Sequence, residues 1–221
     1  MIDREVRRWL APTLDRAGGW LARRGVRPLT VTLGGLALAL AAATAAALTL
    51  WGWALALWLL SRLADGVDGP LARARGGGTA LGGWADITAD LAAYGTFVVG
   101  CAIGNPDARV ACLVLLVTYY VNGGSLLALS AAAHQRGVER PDERTFHFTR
   151  GLAEGTETIV VHSLMVLVPA WMPALAWGFS AAVLVTIGQR IRLAVRLLGP
   201  PTPITGAPVP APDAADAVER R

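Results

Sequence analysis

Between Arg27 and Arg62 the chain runs for thirty-four residues without a charged side chain. One helix of that length would rise about 50 Å at about 1.5 Å per residue, against a hydrocarbon core of about 30 Å. The stretch therefore predicts two membrane-crossing helices, turning at Thr49–Gly52 with Trp51 and Trp53 at the interface. The second begins near Trp53 and is too short to cross if it stops at Arg62. Carried on by a few turns, it holds Asp65, Asp68 and Ala72 at its inner end. Further apolar stretches predict spans at 84–104, 108–132, 149–170 and 172–195, the last two parted only by a tight turn through Pro169, Trp171, Met172 and Pro173. The pattern is that of an all-α integral membrane protein with six transmembrane helices.

The segments on either side of the spans differ from them. In residues 1–27, Val6, Trp9, Leu10, Leu14, Ala17 and Leu21 fall on one helical face, with Arg7, Arg8, Asp15 and Arg16 mostly elsewhere. This predicts an N-terminal amphipathic helix lying on an anionic membrane surface, kinked at Pro12 and loosened at Gly18-Gly19. The segment lacks the apolar core of a signal peptide. Residues 28–198 form the membrane domain. Residues 199–221, rich in Pro and Ala, are expected to be a disordered tail.

Composition agrees: 54% of the 221 residues are hydrophobic, and the mean hydropathy is +0.47. The basic balance, a formal charge of +4, comes from arginine alone, because the chain has no lysine. Seven arginines precede the first span, and others follow the second, fourth and sixth, whereas Arg109 alone marks the opposite side. The positive-inside rule then places both termini and the Asp65–Asp90 region in the cytoplasm, on a multi-pass protein of the cell (inner) membrane. Arginines that flank spans with no binding module around them argue against nucleic acid as a partner. Cys101 and Cys112, near the outer span ends, are expected to be buried free thiols.

The second and third predicted spans carry four carboxylates where charge is costly and hence functional by default. Asp65 and Asp68 are three apart and Asp86 and Asp90 four apart, so each pair shares a helix face. Gly76-Gly77-Gly78 between them permits an antiparallel return that brings all four together. Four like charges in a poorly solvated pocket repel or take up protons, and divalent cations relieve this. An all-oxygen donor set favours Mg²⁺, Mn²⁺ or Ca²⁺ over Zn²⁺. Two such ions roughly 3.5–4 Å apart can clamp a phosphoryl group. Gly69, Ala72 and Gly82 leave space beside the acids, and Arg73 can neutralise a diphosphate.

The run Asp65-x-x-Asp68-Gly69-x-x-Ala72-Arg73, eight residues, then Gly82-x-x-x-Asp86-x-x-x-Asp90, closely resembles the signature of the CDP-alcohol phosphotransferases, also called CDP-alcohol phosphatidyltransferases. Every fixed position of that signature is met. Arg27-Pro28-Leu29-Thr30-Val31-Thr32 is similar to the family's P-N-x-x-T entry to the first span, with Leu29 in place of Asn and Thr32 matching. The resemblance implies six spans behind an interfacial helix, and a transferase that uses a CDP-linked donor, usually CDP-diacylglycerol, with release of CMP. It implies Asp65, Asp68 and Asp86 as ligands of Mg²⁺ or Mn²⁺, two divalent cations in all. Asp90 is implied as a ligand, as the general base, or as both. Thr32, Gly69, Ala72, Arg73 and Gly82 are implied as the CDP-binding residues.

A second polar group, Arg150, Glu154, Glu157 and Thr158 with His162 a turn deeper, opens the fifth span. It is expected to bind a small hydroxyl acceptor; the other reading is that Arg150 pairs with Glu154 while Glu157 bonds neighbouring helices. Glycerol 3-phosphate, inositol phosphate, inositol and serine all stay open as acceptors, and so does a member like phosphatidylglycerophosphate synthase. Asn122, Gly123 and Gly124 suit close helix packing and allow a homodimer through a span face. Two readings of other classes are weaker. A cation transporter would spread its acids along a path at mid-membrane depth, and a non-catalytic scaffold would be free to lose motif positions.

Overall fold

The computed structural model describes residues 2–135 and 155–198, and within them every regular element is helical. These are α1 (Ile2–Arg23), α2 (Pro28–Ala47), α3 (Trp51–Ala74), α4 (Ala80–Gly104), α5 (Arg109–Gln135), α6 (Gly155–Leu167) and α7 (Met172–Leu198). Single 3₁₀ turns, Pro106–Ala108 and Pro169–Trp171, lead into α5 and α7. The expected tail 199–221, the start of the expected 149–170 span, and Arg150 and Glu154 lie outside the described residues.

The helix boundaries follow local chemistry. Arg27 is extended and Pro28 takes the first helical position, where a missing N–H is harmless. The turn between α2 and α3 is Leu48–Leu50, with Thr49 left-handed at φ 59°, ending two residues earlier than the pattern predicts. Trp51 and Gly52 already belong to α3, because no Pro or charge marks the start of that helix. α3 then continues past Arg62 and through Pro70 to Ala74. Gly76 (φ 99°) and Gly77 (φ 115°) make the reversal in a backbone region that side chains rarely adopt. Thr79 caps α4, its Oγ1 accepting from Gly82 N at 3.0 Å.

Among the described residues, four stretches are long and apolar enough to cross a membrane: Pro28–Ala47, Ala80–Gly104, Pro106–Gln135 and Pro169–Leu198. α3 matches them in length at 24 residues but carries Arg62, Asp65, Asp68 and Arg73. The described part of α6 has 13 residues. Large apolar side chains such as Leu40, Val117, Tyr120 and Leu184 cover the outside of the bundle, the inverse of a water-soluble surface. α1 runs through Pro12 without interruption and packs on α3 and α6. Leu14 lies against Gly66, while Trp9 stays 82% exposed.

Helix α2 is the splint of the first half. Its buried alanines, among them Ala39, Ala42, Ala43 and Ala46, let it pack closely on both α3 and α4. Gly100 and Gly104 of α4 sit against the Ala43 and Ala46 carbonyls, where any Cβ would collide. Across α3 and α4 it is long side chains that meet, with Trp58 stacked on Phe97 at a centroid distance of 4.4 Å. Asn105 Nδ2 donates to Pro169 O at 2.8 Å, tying the turn after α4 to the turn before α7. Cys101 and Cys112 are buried free thiols in the core.

Candidate metal and substrate site

The C-terminal end of α3 and the N-terminal end of α4 bring carboxylates together because both helices place acids at helical spacing and the glycine turn folds one back beside the other. Asp65, Asp68 and Asp86 each offer an oxygen, and the three oxygens lie within 4.8 Å of one another. Oxygens on opposite sides of an ion bound at about 2.1–2.4 Å stand about 4.2–4.8 Å apart, so the group encloses a space of cation size. The donor set is oxygen only, which fits a hard divalent metal. Asp68 is 7% exposed and accepts from Thr32 Oγ1 at 2.8 Å, so α2 also reaches the site.

Asp90, one turn further into α4, is placed differently. Its Oδ1 lies 2.7 Å from Nη1 of Arg62, which is also 3.9 Å from Asp65 Oδ2. Arg62 is buried, and its Nη2 donates to Ser61 Oγ at 3.0 Å. The guanidinium carbon stands 4.8 Å from the Trp58 ring and 4.9 Å from the Tyr94 ring. Trp58, Tyr94, Phe97 and Tyr119 surround His162, whose Nε2 shares a 2.9 Å hydrogen bond with the Tyr119 hydroxyl. His162 is fully buried in this aromatic cage, although the sequence grouped it with the polar cluster at the mouth of its span.

Among the substrate-binding residues expected from sequence, Gly69, Ala72 and Gly82 are partly exposed beside the carboxylates. Arg73 is exposed and pairs with Asp15 of α1 at 3.0 Å. Thr32 belongs to the carboxylate group through Asp68. Glu157 and Thr158 are half-buried in the first turn of α6. α6 packs on α3 and α1 and runs from there toward the Asn105–Pro169 tie at the far end. Buried Arg190 of α7 binds the side chains of Asn122 and Ser125 on α5, at 2.7 and 3.0 Å.

Sequence reasoning missed Arg62, which served only to mark where the charge-free stretch ended. A lone arginine one helical turn before Asp65 was the available signal: a charge that deep in an apolar helix needs a partner.

Comparison with known proteins gives the family and the fold. A family model described as CDP-alcohol phosphatidyltransferase matches residues 26–188. The inner membrane protein YnjF of Escherichia coli is 35% identical over 194 residues, covering 86% of this chain and 94% of that protein. The phosphatidylinositol phosphate synthase of Mycobacteroides abscessus is 32% identical over 188 residues, covering 77% and 78%. In fold, the chain is similar to Mycobacterium tuberculosis phosphatidylinositol phosphate synthase (PgsA1) with CDP-DAG bound, with a TM-score of 0.66 at 22% identity over 90% of this chain and 98% of that one. The structure of PgsA1 with manganese and citrate gives the same TM-score at 22% identity, covering 93% and 98%. The chain belongs to the CDP-alcohol phosphatidyltransferase family, membrane enzymes that transfer a substituted phosphate group in phospholipid synthesis.

Proposed function

We propose that the chain transfers a phosphatidyl group from CDP-diacylglycerol to the hydroxyl of a small polar acceptor, releasing CMP at the cytoplasmic face of the inner membrane. The observation that carries this reading is the convergence of Asp65, Asp68 and Asp86 on one cation-sized space, with Gly69, Ala72 and Gly82 only partly buried on the same two helices. In this reading α2 to α7 are the six spans, α1 lies in the interface, and the arginine-rich ends face the cytoplasm. The apolar exterior faces lipid, and a homodimer forms through a span face.

Asp65, Asp68 and Asp86 hold Mg²⁺ or Mn²⁺. The bound metal supplies charge neutralisation for the diphosphate and for the departing CMP. Four carboxylates raise the expectation of two ions, and the second depends on how Asp90 is shared. Arg73 leaves Asp15 to bind the diphosphate, and Gly69, Ala72 and Gly82 allow the nucleotide to lie close to the backbone. Thr32 holds Asp68 in place. Asp90 takes the proton of the acceptor hydroxyl. The acceptor oxygen then bonds to the phosphorus that carries the diacylglycerol, and the bond from that phosphorus to the CMP oxygen breaks. Most of the rate comes from holding two reactants in line.

Arg150, Glu154, Glu157 and Thr158 bind the acceptor at the mouth of α6. Carboxylates there suit a polyol or an amino alcohol, whereas Arg150 and the buried Arg190 suit a phosphorylated one such as inositol phosphate or glycerol 3-phosphate. The test is CMP release by the purified protein from CDP-diacylglycerol with Mg²⁺ or Mn²⁺, across a panel of these acceptors, with the lipid product identified by mass. Transfer to one acceptor and its loss in Asp90→Asn are expected. Absence of CMP release with every acceptor and either metal overturns the reading.

A further inference from the structure

Arg62 stands where two acids of the site meet the apolar core. Its Nη1 donates to Asp90 Oδ1 at 2.7 Å and lies 3.9 Å from Asp65 Oδ2. Those two carboxyl groups, from α4 and α3, also share a side-chain hydrogen bond with each other. The guanidinium thus closes a triangle that joins the fourth carboxylate to Asp65, and through Asp65 to Asp68 and Asp86.

The seat of this arginine is built by four helices. On α3, Trp58 stands four residues before Arg62 and Asp65 three after it. On α4, Tyr94 stands four residues after Asp90, so each helix carries its acid and its ring on one face. Both rings lie within cation–π range of the guanidinium, at 4.8 and 4.9 Å, and Nη2 donates to Ser61 Oγ at 3.0 Å. His162 of α6 packs against both rings and is itself bonded to Tyr119 of α5. The Arg62 side chain is 5% exposed and that of Asp90 35%, so the cation is walled in while the acid stays accessible. A flat guanidinium can serve two acids, a hydroxyl and two rings at once, which an ammonium on a flexible stem cannot.

Building on the proposed function, we propose that Arg62 is a positioning residue for the transfer step, clamping Asp90 against Asp65 so that all four carboxylates act as one group. The guanidinium holds Oδ1 of Asp90, which sets Oδ2 for the cation and the acceptor hydroxyl. Arg62 acts on the reaction only through these two acids.

The test is steady-state CMP release from CDP-diacylglycerol by the purified full chain in detergent, at saturating Mn²⁺ and acceptor. Rates are expressed per folded chain, counted from the monodisperse fraction, and Tm is measured alongside. Arg62→Met should lower kcat by about 100-fold, the cost of a misplaced reacting group, and leave the KM for CDP-diacylglycerol within about threefold. Arg62→Lys, which keeps the charge and loses the fork, should recover most of the Tm lost in Arg62→Met while its kcat stays about 10-fold low. A merely structural role would lower the Tm and the folded fraction and leave kcat per folded chain unmoved. A kcat within about threefold of the original in either variant, or a loss confined to KM, overturns the proposal and leaves the transferase reading intact. Absence of CMP release by the unaltered chain with every acceptor overturns both. Should Arg62→Met not fold, Arg62→Lys decides the matter.

Discussion

Thr32 on α2 donates its hydroxyl to Asp68 on α3 at 2.8 Å, across thirty-six positions of sequence. The bond fixes one carboxylate oxygen of Asp68 and leaves its partner for a cation. Hydrogen bonds to charged groups contribute about 1.5–3 kcal/mol, so Thr32→Val should lower metal affinity and CMP release by about 10-fold or more. Thr32→Ser should retain both. Initial rates measured against Mn²⁺ concentration check this, with the effect expected in the apparent metal constant.

Asp86 stands with two other carboxylates at a site built to receive positive charge. Asp86→Asn should abolish CMP release and at the same time stabilise the metal-free protein, since it relieves repulsion that only function requires. About 1 kcal/mol of relief corresponds to a rise in Tm of about 2–4 °C for a chain of this size. Saturating Mn²⁺ should raise the Tm of the unaltered protein and leave that of Asp86→Asn nearly unmoved. Thermal scans with and without Mn²⁺ read both effects.

The Arg73–Asp15 pair, at 3.0 Å, is more than half exposed on both sides. Exposed pairs contribute about 0–1 kcal/mol. Asp15→Asn should therefore shift Tm little and leave CMP release within about twofold. Arg73→Gln should lower release by about 100-fold, the loss of a diphosphate contact made by a charged group. Equal losses in the two variants would show that the pair, and not Arg73 alone, serves the reaction.

A Cβ at Gly100 would run into the Ala43 carbonyl on α2. Gly100→Ala should therefore push α2 and α4 apart and destabilise the bundle by about 1–3 kcal/mol. Thr32 and Asp86 ride on those two helices, so Mn²⁺ affinity should fall as well. At Gly95 and Gly178 an added methyl would meet no atom within 4 Å, and Gly→Ala at either should be neutral or slightly stabilising. Tm and Mn²⁺ affinity measured on the three variants separate the packed glycine from the open ones.

What sequence could reveal of this site is what repeats along one helix. Asp65 and Asp68, then Asp86 and Asp90, carry their faces in their spacing, and Gly76-Gly77-Gly78 marks the reversal between them. The family signature rests on the same positions. The partner of Arg62 was illegible because Asp90 lies 28 residues away on another helix. Asp15 and Arg73, 58 apart, were illegible for the same reason. The turn at Leu48–Leu50 was misplaced by two residues because Trp51 and Gly52 look the same at the end of one apolar helix as at the start of the next. His162 looked like part of a polar mouth, but its environment is decided by Trp58, Phe97 and Tyr119, which come from three other helices.

The left-handed glycines at Gly76 and Gly77 give the hairpin slack, and the oxygens of Asp65, Asp68 and Asp86 sit on both of its arms. Any ion held by all three is therefore a clasp across a loose joint. Slack in the loop and grip in the site offset each other, so the hairpin is most pliant when empty and stiffest when armed for chemistry.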